Sequence, residues 1–402
     1  MNKSIRSMGM SRRIVLLGAA GAVAQLTGCG GGGGGGVAGL STGGTGSFTN
    51  GTITGIGSII VNGIRYNNDT ATVLHRDDGT VANVSLQLGM VVSIEGSSVV
   101  PATTLNGTPT ATASRISFGS EWQGPVGVKA ASSFEVLGHT VDVLATTIFD
   151  GDVSLYSALT SSHYVEVYGY VDQVNGRIQA SRVESSLAAP VSYKLSGSIT
   201  QIDAVNRTAT MGLLPVAWAS GVQVPSGLTS GSFVRVQIDP VSVSGVWSLT
   251  RIQLLTSPLV DLHADDADEA EIHGSITSYQ SNASFSVNGI PVDASRASVT
   301  GTLGLGVSVE VKGSISSQQV VATQIEVQGN SVVEARKFEF HGTVSNLNTS
   351  ARTFSLRGYT FTYDSNTRYD GVNWSVNPSP YVEVKATHIN GVWLATEIDL
   401  ED

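Results

Sequence analysis

From about residue 51 onward, apolar and polar residues alternate in short runs. Val309-Glu310-Val311-Lys312-Gly313 alternates strictly, and Ala322-Thr323-Gln324-Ile325-Glu326 begins nine residues after its glycine. Period-2 alternation puts one set of side chains on each face of a strand. The pair recurs as Val165-Glu166-Val167-Tyr168-Gly169 with Ala180-Ser181-Arg182-Val183-Glu184. It recurs again as Val382-Glu383-Val384-Lys385-Ala386 with Ala395-Thr396-Glu397-Ile398-Asp399. No stretch of ten or more residues beyond position 40 carries an i, i+3, i+4 apolar stripe, so the pattern predicts strands and not helices.

These hairpins close a larger repeat. A Gly-x-Ile/Val start occurs at Gly51, Gly124, Gly197, Gly274 and Gly342, at intervals of 73, 73, 77 and 68 residues. A strand that turns at glycine and returns follows each start. Phe134 to Val143, Phe285 to Val292 and Phe354 to Phe361 are examples, and copy one has Asn62-Gly63 at the tip. Asn-Gly supplies the positive φ angles of a tight hairpin. Copy three departs most: Ile238 replaces the glycine that should follow Val234-Arg235-Val236. Five or six strands in about 70 residues point to one small barrel per copy, because closure removes exposed sheet edges.

The predicted architecture is all-β: five tandem small OB-like barrels behind a lipoprotein signal and a glycine-rich tether. The expected boundaries are 1–28 signal, 29–50 tether, 51–120, 121–190 and 191–257 barrels, 258–271 acidic linker, then 272–330 and 331–402 barrels. Short links between copies predict an elongated string, unless neighbouring copies pack together. The Gly-x-Ile/Val start, the Phe-x-Val-x-Gly-x-x-Val hairpin and the Val-x-Val-x-Gly…Ala-Ser/Thr-x-Ile-Glu ending resemble the bacterial secreted family known as domain of unknown function 5666. The resemblance implies OB-like barrels and a cell-envelope location. It implies no reaction and carries over no catalytic residue.

The N-terminus has a basic region, an apolar run from Ile14 to Ala24, and then small residues, which is the layout of a secretory signal. It ends in Leu26-Thr27-Gly28-Cys29, which resembles the lipobox of bacterial lipoproteins, and Cys29 is the chain's only cysteine. The resemblance implies a diacylglycerol on Cys29, a membrane partner reached through that anchor and, with Gly30 next, an outer-membrane destination. Ser11-Arg12-Arg13-Ile14-Val15-Leu16-Leu17 also resembles a twin-arginine signal; a plain basic region is the other reading. Gly30 to Gly36 has no side chains to pack and reads as a tether.

Charge narrows the partners. Residues 1–28 hold four basic residues and no acidic ones; beyond them 18 basic residues face 32 acidic ones. Such a chain repels phosphate backbones, so no nucleic-acid partner is expected. No P-loop, Gly-x-Ser-x-Gly or His-Glu-x-x-His motif occurs, and no cofactor is expected.

Two clusters are candidate sites. Tyr164, Glu166, Tyr168 and Tyr170 alternate along one strand face, where rings and a carboxylate could hold a sugar on a barrel surface; the reading favoured by packing alone is that the rings cover apolar surface or the seam with the next barrel. Asp265, Asp266, Asp268 and Glu269 are candidate metal ligands, although their spacing fits no EF-hand; a solvated acidic linker is the alternative. Glu166, Glu310 and Glu383 are equivalent, but copies one and three have Ser93 and Arg235 there, so these positions read as variable, solvated surface residues. The functional expectation is a lipid-anchored, non-enzymatic envelope protein that binds an envelope protein or glycan, or serves as a spacer. A string of carbohydrate-binding modules and a hydrolase built on a carboxylate pair are the alternatives.

Overall fold

The computed structural model describes residues 46–103, 107–262, 264, 267–328, 337–389 and 391–401. The signal, Cys29 and the glycine run lie outside them, as do Asp265 and Asp266. The plainest copy is barrel 2. Its five strands are Trp122–Lys129, Ser133–Val136, His139–Gly151, Tyr164–Asp172 and Arg177–Ser186. The first pairs antiparallel with the second and the second with the third. The third then runs parallel to the fifth, and the fourth closes the ring between the fifth and the first. The order is therefore 1-2-3-5-4-1, a five-stranded Greek-key barrel of OB type.

All five copies close in this order, including the divergent barrel 3 from Tyr193–Asp203 to Trp247–Leu254. In barrels 1, 4 and 5 the third strand is broken. Its second piece, Thr72–His75, Ser298–Thr300 or Arg368–Asp370, still runs parallel to the fifth strand.

Two sterically constrained glycines account for the sequence motif. A Cβ at Gly51 would overlap Asn62 Oδ1, and one at Gly274 would overlap Asn288 Oδ1. Both asparagines sit at the Asn-Gly hairpin tip with φ 53°, followed by Gly63 and Gly289 at positive φ, so the tip folds back over the Gly-x-Ile start. The second glycine marks a β-bulge. Register shifts at Gly169 and at Gly313, where a Cβ would strike the main-chain oxygen of Gln179 or Val321 on the facing strand. Copies three and five bulge at the same place with Ile238 and Ala386. The apolar set of the repeated strand points inward as expected: Val165, Val167, Val309, Val311, Val382 and Val384 are buried.

The predicted string does not form. The first strand of barrel 1, Gly46–Ile56, runs parallel to the first strand of barrel 4 through Ser47–Asn50 against Glu269–Ile272. Its end pairs with barrel 5, Gly55 and Ile56 against Glu339 and Phe340. Barrels 2 and 3 pair antiparallel at Trp122 and Leu195. Phe48 of barrel 1 lies in the apolar cluster of barrel 4, where burial of such a ring contributes about 1.5–3 kcal/mol. The chain folds back because these barrels carry apolar residues and unpaired strand edges on their outer faces, which packing covers.

Two boundaries move as a result. Gly46–Asn50, expected in the tether, is strand. Residues 267–271, expected in the acidic linker, belong to the strand Ala267–Ser281 of barrel 4.

Candidate functional site

The outward position of the repeated strand, read as solvated, is drawn into a seam in copies one, two, three and five. Ser93 is buried and accepts from Asn50 Nδ2 (2.9 Å), whose Oδ1 accepts from Asn288 of barrel 4 (2.6 Å). Glu383 of barrel 5 meets Arg65 of barrel 1 at 3.4 Å. Glu310 pairs with Lys312 (2.8 Å), and Glu166 accepts from Ser120 Oγ (2.6 Å) beside Lys194 of barrel 3 (3.8 Å). Arg235 is only 3% exposed. The residue varies among those copies because each meets a different neighbour there.

Arg235 belongs to a buried ionic junction of three barrels. Its guanidinium binds Asp77 of barrel 1 (2.7 Å) and Glu121 at the entry to barrel 2 (2.9 Å). Arg76 takes the other Glu121 oxygen at 2.8 Å, and Lys194 takes the other Asp77 oxygen at 2.9 Å. Burial alone would raise the Glu121 carboxyl, but Arg235 and Arg76 outweigh it and bring it down to about 2. Buried charges persist only when paired and hydrogen-bonded in this way.

Beside the junction, a cleft of about 700 Å³ opens between barrels 1 and 2. It is lined by Tyr164, Glu166 and Tyr168 from one side and by Phe118 and Gln87 from the other. Behind it Arg182 is held by Asp150 (2.5 Å) and Glu184 (2.7 Å) and donates to Leu88 O (3.1 Å).

The predicted tyrosine face is divided. Tyr168 is 4% exposed and packs in the cluster shared by barrels 1 and 5; burial, and then Glu166 and Glu184, raise its phenol well above the usual range. Tyr164 stacks on Tyr193 of barrel 3 with ring centroids 6.3 Å apart. Tyr170 leaves the cleft altogether and meets Thr52 Oγ1 of barrel 1 at 2.7 Å. Of the two readings of this face, a seam between barrels describes all three rings, while Tyr164, Glu166 and Tyr168 also edge the cleft.

Of the four acidic candidates, two fall within the described residues. Asp265 and Asp266 lie outside the described residues. Asp268 and Glu269 are both exposed, on a part of the strand Ala267–Ser281 where the register against Ser308–Ser316 shifts between Ala267 and Ala270. Glu269 accepts from the Val99 N–H of barrel 1 at 3.0 Å.

Sequence reasoning missed a different cluster. Ligand atoms of Glu339, His341 and Glu383 lie within 4.8 Å of one another, a set that could hold a metal. The Arg65 guanidinium already sits among them, 2.9 Å from Glu339 and 2.8 Å from His341 Nε2. Burial would raise Glu339, but His341 and Arg65 bring it below the carboxylate range; His341 is raised by Glu339 and Glu401 against the opposing effect of burial. The set is a clamp on barrel 1. One signal was visible: the acids and the histidine alternate with core residues on two strands that the repeat predicts to pair.

A carboxyl pair also emerges. Glu271 is hydrogen-bonded to Glu310, and burial first, with Glu310 adding, pushes it up to about 7 despite Lys312. Both oxygens of Glu310 are engaged, one by Lys312 and one by Gln328 Nε2 (3.3 Å).

The family model for a domain of unknown function (DUF5666) matches four regions, residues 50–105, 123–184, 273–326 and 341–399. Together they cover more than half of the chain. The chain belongs to the DUF5666 family. The four matches fall on barrels 1, 2, 4 and 5. Barrel 3, which no DUF5666 match covers, has the same strand order and joins the same ionic junction. No curated protein matches. A solved structure titled "drosophila Unr CSD456" is 12% identical and covers 53% of this chain and 98% of its own, with a TM-score of 0.14. At that score it adds nothing to the strand order described above.

Proposed function

We propose that this protein is a lipid-anchored, non-enzymatic binding protein of the cell envelope, with a ligand seated in the cleft between barrels 1 and 2. The N-terminal layout ending at Cys29 supports the anchor, and Gly30 supports the outer membrane as its destination. The observation that carries the binding role is the cleft itself: a concavity of ligand size at the meeting of two barrels, edged by aromatic and hydrogen-bonding groups. A spacer gains from length, and barrels folded back on one another give little of it. The cleft's mix of ring edges, carboxylates and amides favours a hydroxyl-rich ligand, so a glycan is the preferred class. The hydrolase alternative would draw on Glu271 and Glu310, but Lys312 and Gln328 occupy Glu310, which leaves it poorly placed to act as a base.

Two measurements test this. Cys29→Ser should move the protein from the membrane fraction to the soluble one; an unchanged distribution overturns the anchor. A glycan array should give binding that Ser85→Trp at the exposed cleft rim abolishes. Binding to no glycan, or binding indifferent to Ser85→Trp, removes the carbohydrate reading.

A further inference from the structure

The repeated strand pairs with its returning partner so that two acids stand opposite each other in barrels 2, 4 and 5. The pairs are Glu166 with Glu184, Glu310 with Glu326, and Glu383 with Asp399. Like charges directly opposite across a ladder repel. Barrels 4 and 5 place a lysine two residues beyond the first glutamate to offset this. Lys312 Nζ lies 2.8 Å from Glu310, and Lys385 Nζ lies 3.0 Å from Glu383. Barrel 2 has Tyr168 at that position. A protonated phenol supplies no charge.

The barrel 2 pair also lines the cleft between barrels 1 and 2, with Asp150 as a third acid. One permanent cation, Arg182, lines the same cleft, and it is divided between Asp150 and Glu184. Lys194 stands 3.8 Å from Glu166 but is held by Asp77 at 2.9 Å. Glu166 Oε1 accepts from Ser120 and Glu184 Oε1 from Arg182; the second oxygen of each has no hydrogen-bond partner among the described residues. The Tyr168 hydroxyl has none among them either, although Tyr168 lines the cleft and is only 4% exposed. Buried hydroxyls are rarely left unmet, and one at the wall of a ligand-sized cleft marks a place for a ligand's polar group.

We propose that this cleft seats a primary ammonium group, in the place that Lys312 and Lys385 fill in the sister barrels. The inference rests on the glycan reading above and narrows it: the glycan is an amino sugar whose nitrogen is not acetylated. An ammonium has three N–H donors, and the open oxygens of Glu166 and Glu184 with the Tyr168 hydroxyl are three acceptors. Tyr164 and Phe118, which line the same cleft, suit a cation carried on an organic body. Among the described residues no three acids of this cleft gather closely enough to hold a metal ion, so a bare divalent cation fits less well.

The test titrates the intact protein by calorimetry with a β-1,4-linked glucosamine tetramer and with its fully N-acetylated counterpart. Dansylcadaverine, a primary ammonium without a sugar, is titrated by fluorescence. The amine tetramer should bind about tenfold tighter than the acetylated one, weaken as salt is raised, and lose its binding in Ser85→Trp. Glu166→Gln should cut the preference for the amine to below about threefold. Should that variant fail to fold, the ratio of the two tetramers on the native protein decides by itself. Equal or tighter binding of the acetylated tetramer overturns the ammonium seat and leaves the glycan reading standing. Dansylcadaverine binding that Ser85→Trp abolishes, with neither tetramer bound, keeps the seat and overturns the amino sugar. Binding of none of the three overturns the seat, and the glycan array then decides the glycan reading alone.

Discussion

Replacing Glu121 by Gln tests whether the ionic junction holds barrels 1, 2 and 3 together. The carboxylate receives Arg235 at 2.9 Å and Arg76 at 2.8 Å. The amide keeps the shape of the side chain but removes the negative charge that Arg235 and Arg76 share. Removing one partner of a buried ion pair costs about 3–5 kcal/mol. An independent route gives a similar size. The carboxyl falls from 4.5 to about 2 on folding, and each unit is worth about 1.4 kcal/mol, so charge at Glu121 contributes about 3 kcal/mol at neutral pH. The sign follows from the direction of the shift. The folded value is the lower one, so the contribution is complete above the unfolded value of 4.5 and is lost as pH falls from there toward 2. Urea unfolding followed through Trp122, the fully buried neighbour of Glu121, is the assay. The difference between wild type and Glu121→Gln should be about 3 kcal/mol and flat above about pH 5, and should shrink as pH drops below 4.5. A difference under about 1 kcal/mol, or one that stays constant down to about pH 3, refutes the reasoning.

Three further outcomes are expected. Gly51→Ala should destabilise barrel 1 by about 1–3 kcal/mol, because Asn62 must give up its bonds to Asn50 O and Glu271 O; adding Asn62→Ala should recover part of the loss in the same unfolding assay. Arg65→Met should leave Glu339, Glu383 and Glu401 without their shared cation; the seam is partly exposed, so a loss of about 1–2 kcal/mol and faster amide exchange at Gly55 and Ile56 are expected, and unchanged exchange would count against the clamp. His388 is held neutral in the fold, so the unfolded chain takes up a proton between pH 6.5 and about 4 that the native state refuses. His388→Leu should therefore gain stability relative to wild type by up to about 3 kcal/mol as pH falls through that window, measured by thermal unfolding at stepped pH.

The barrels themselves were legible in the sequence. Alternation marked the core residues Val309 and Val311, and Asn-Gly marked the hairpin tips. Those features are local, and their reasons lie within one copy. The seams were not legible, because period 2 separates inward from outward positions but cannot distinguish outward into water from outward onto another barrel. Arg235 read as a surface substitution, yet its partners Asp77 and Glu121 lie more than a hundred residues away. Arg76 and Asp77 precede a turn at Asp78-Gly79, with Gly79 at φ 71°. Nothing local indicated that the two residues before it reach into a three-barrel junction. The tyrosines of Tyr164–Asp172 left two readings open for the same reason: their alternation is the same whether a sugar or a neighbouring barrel covers them.

The parallel pairing of Ser47 with Glu269 has a consequence for how the molecule assembles. It joins strands about 220 residues apart, and contacts of such sequence separation form late because the loop-closure entropy must be met first. Until then the outer edge of Gly46–Ile56 is open to pairing with another chain. The interval before barrels 1 and 4 meet is when the protein is most exposed to aggregation.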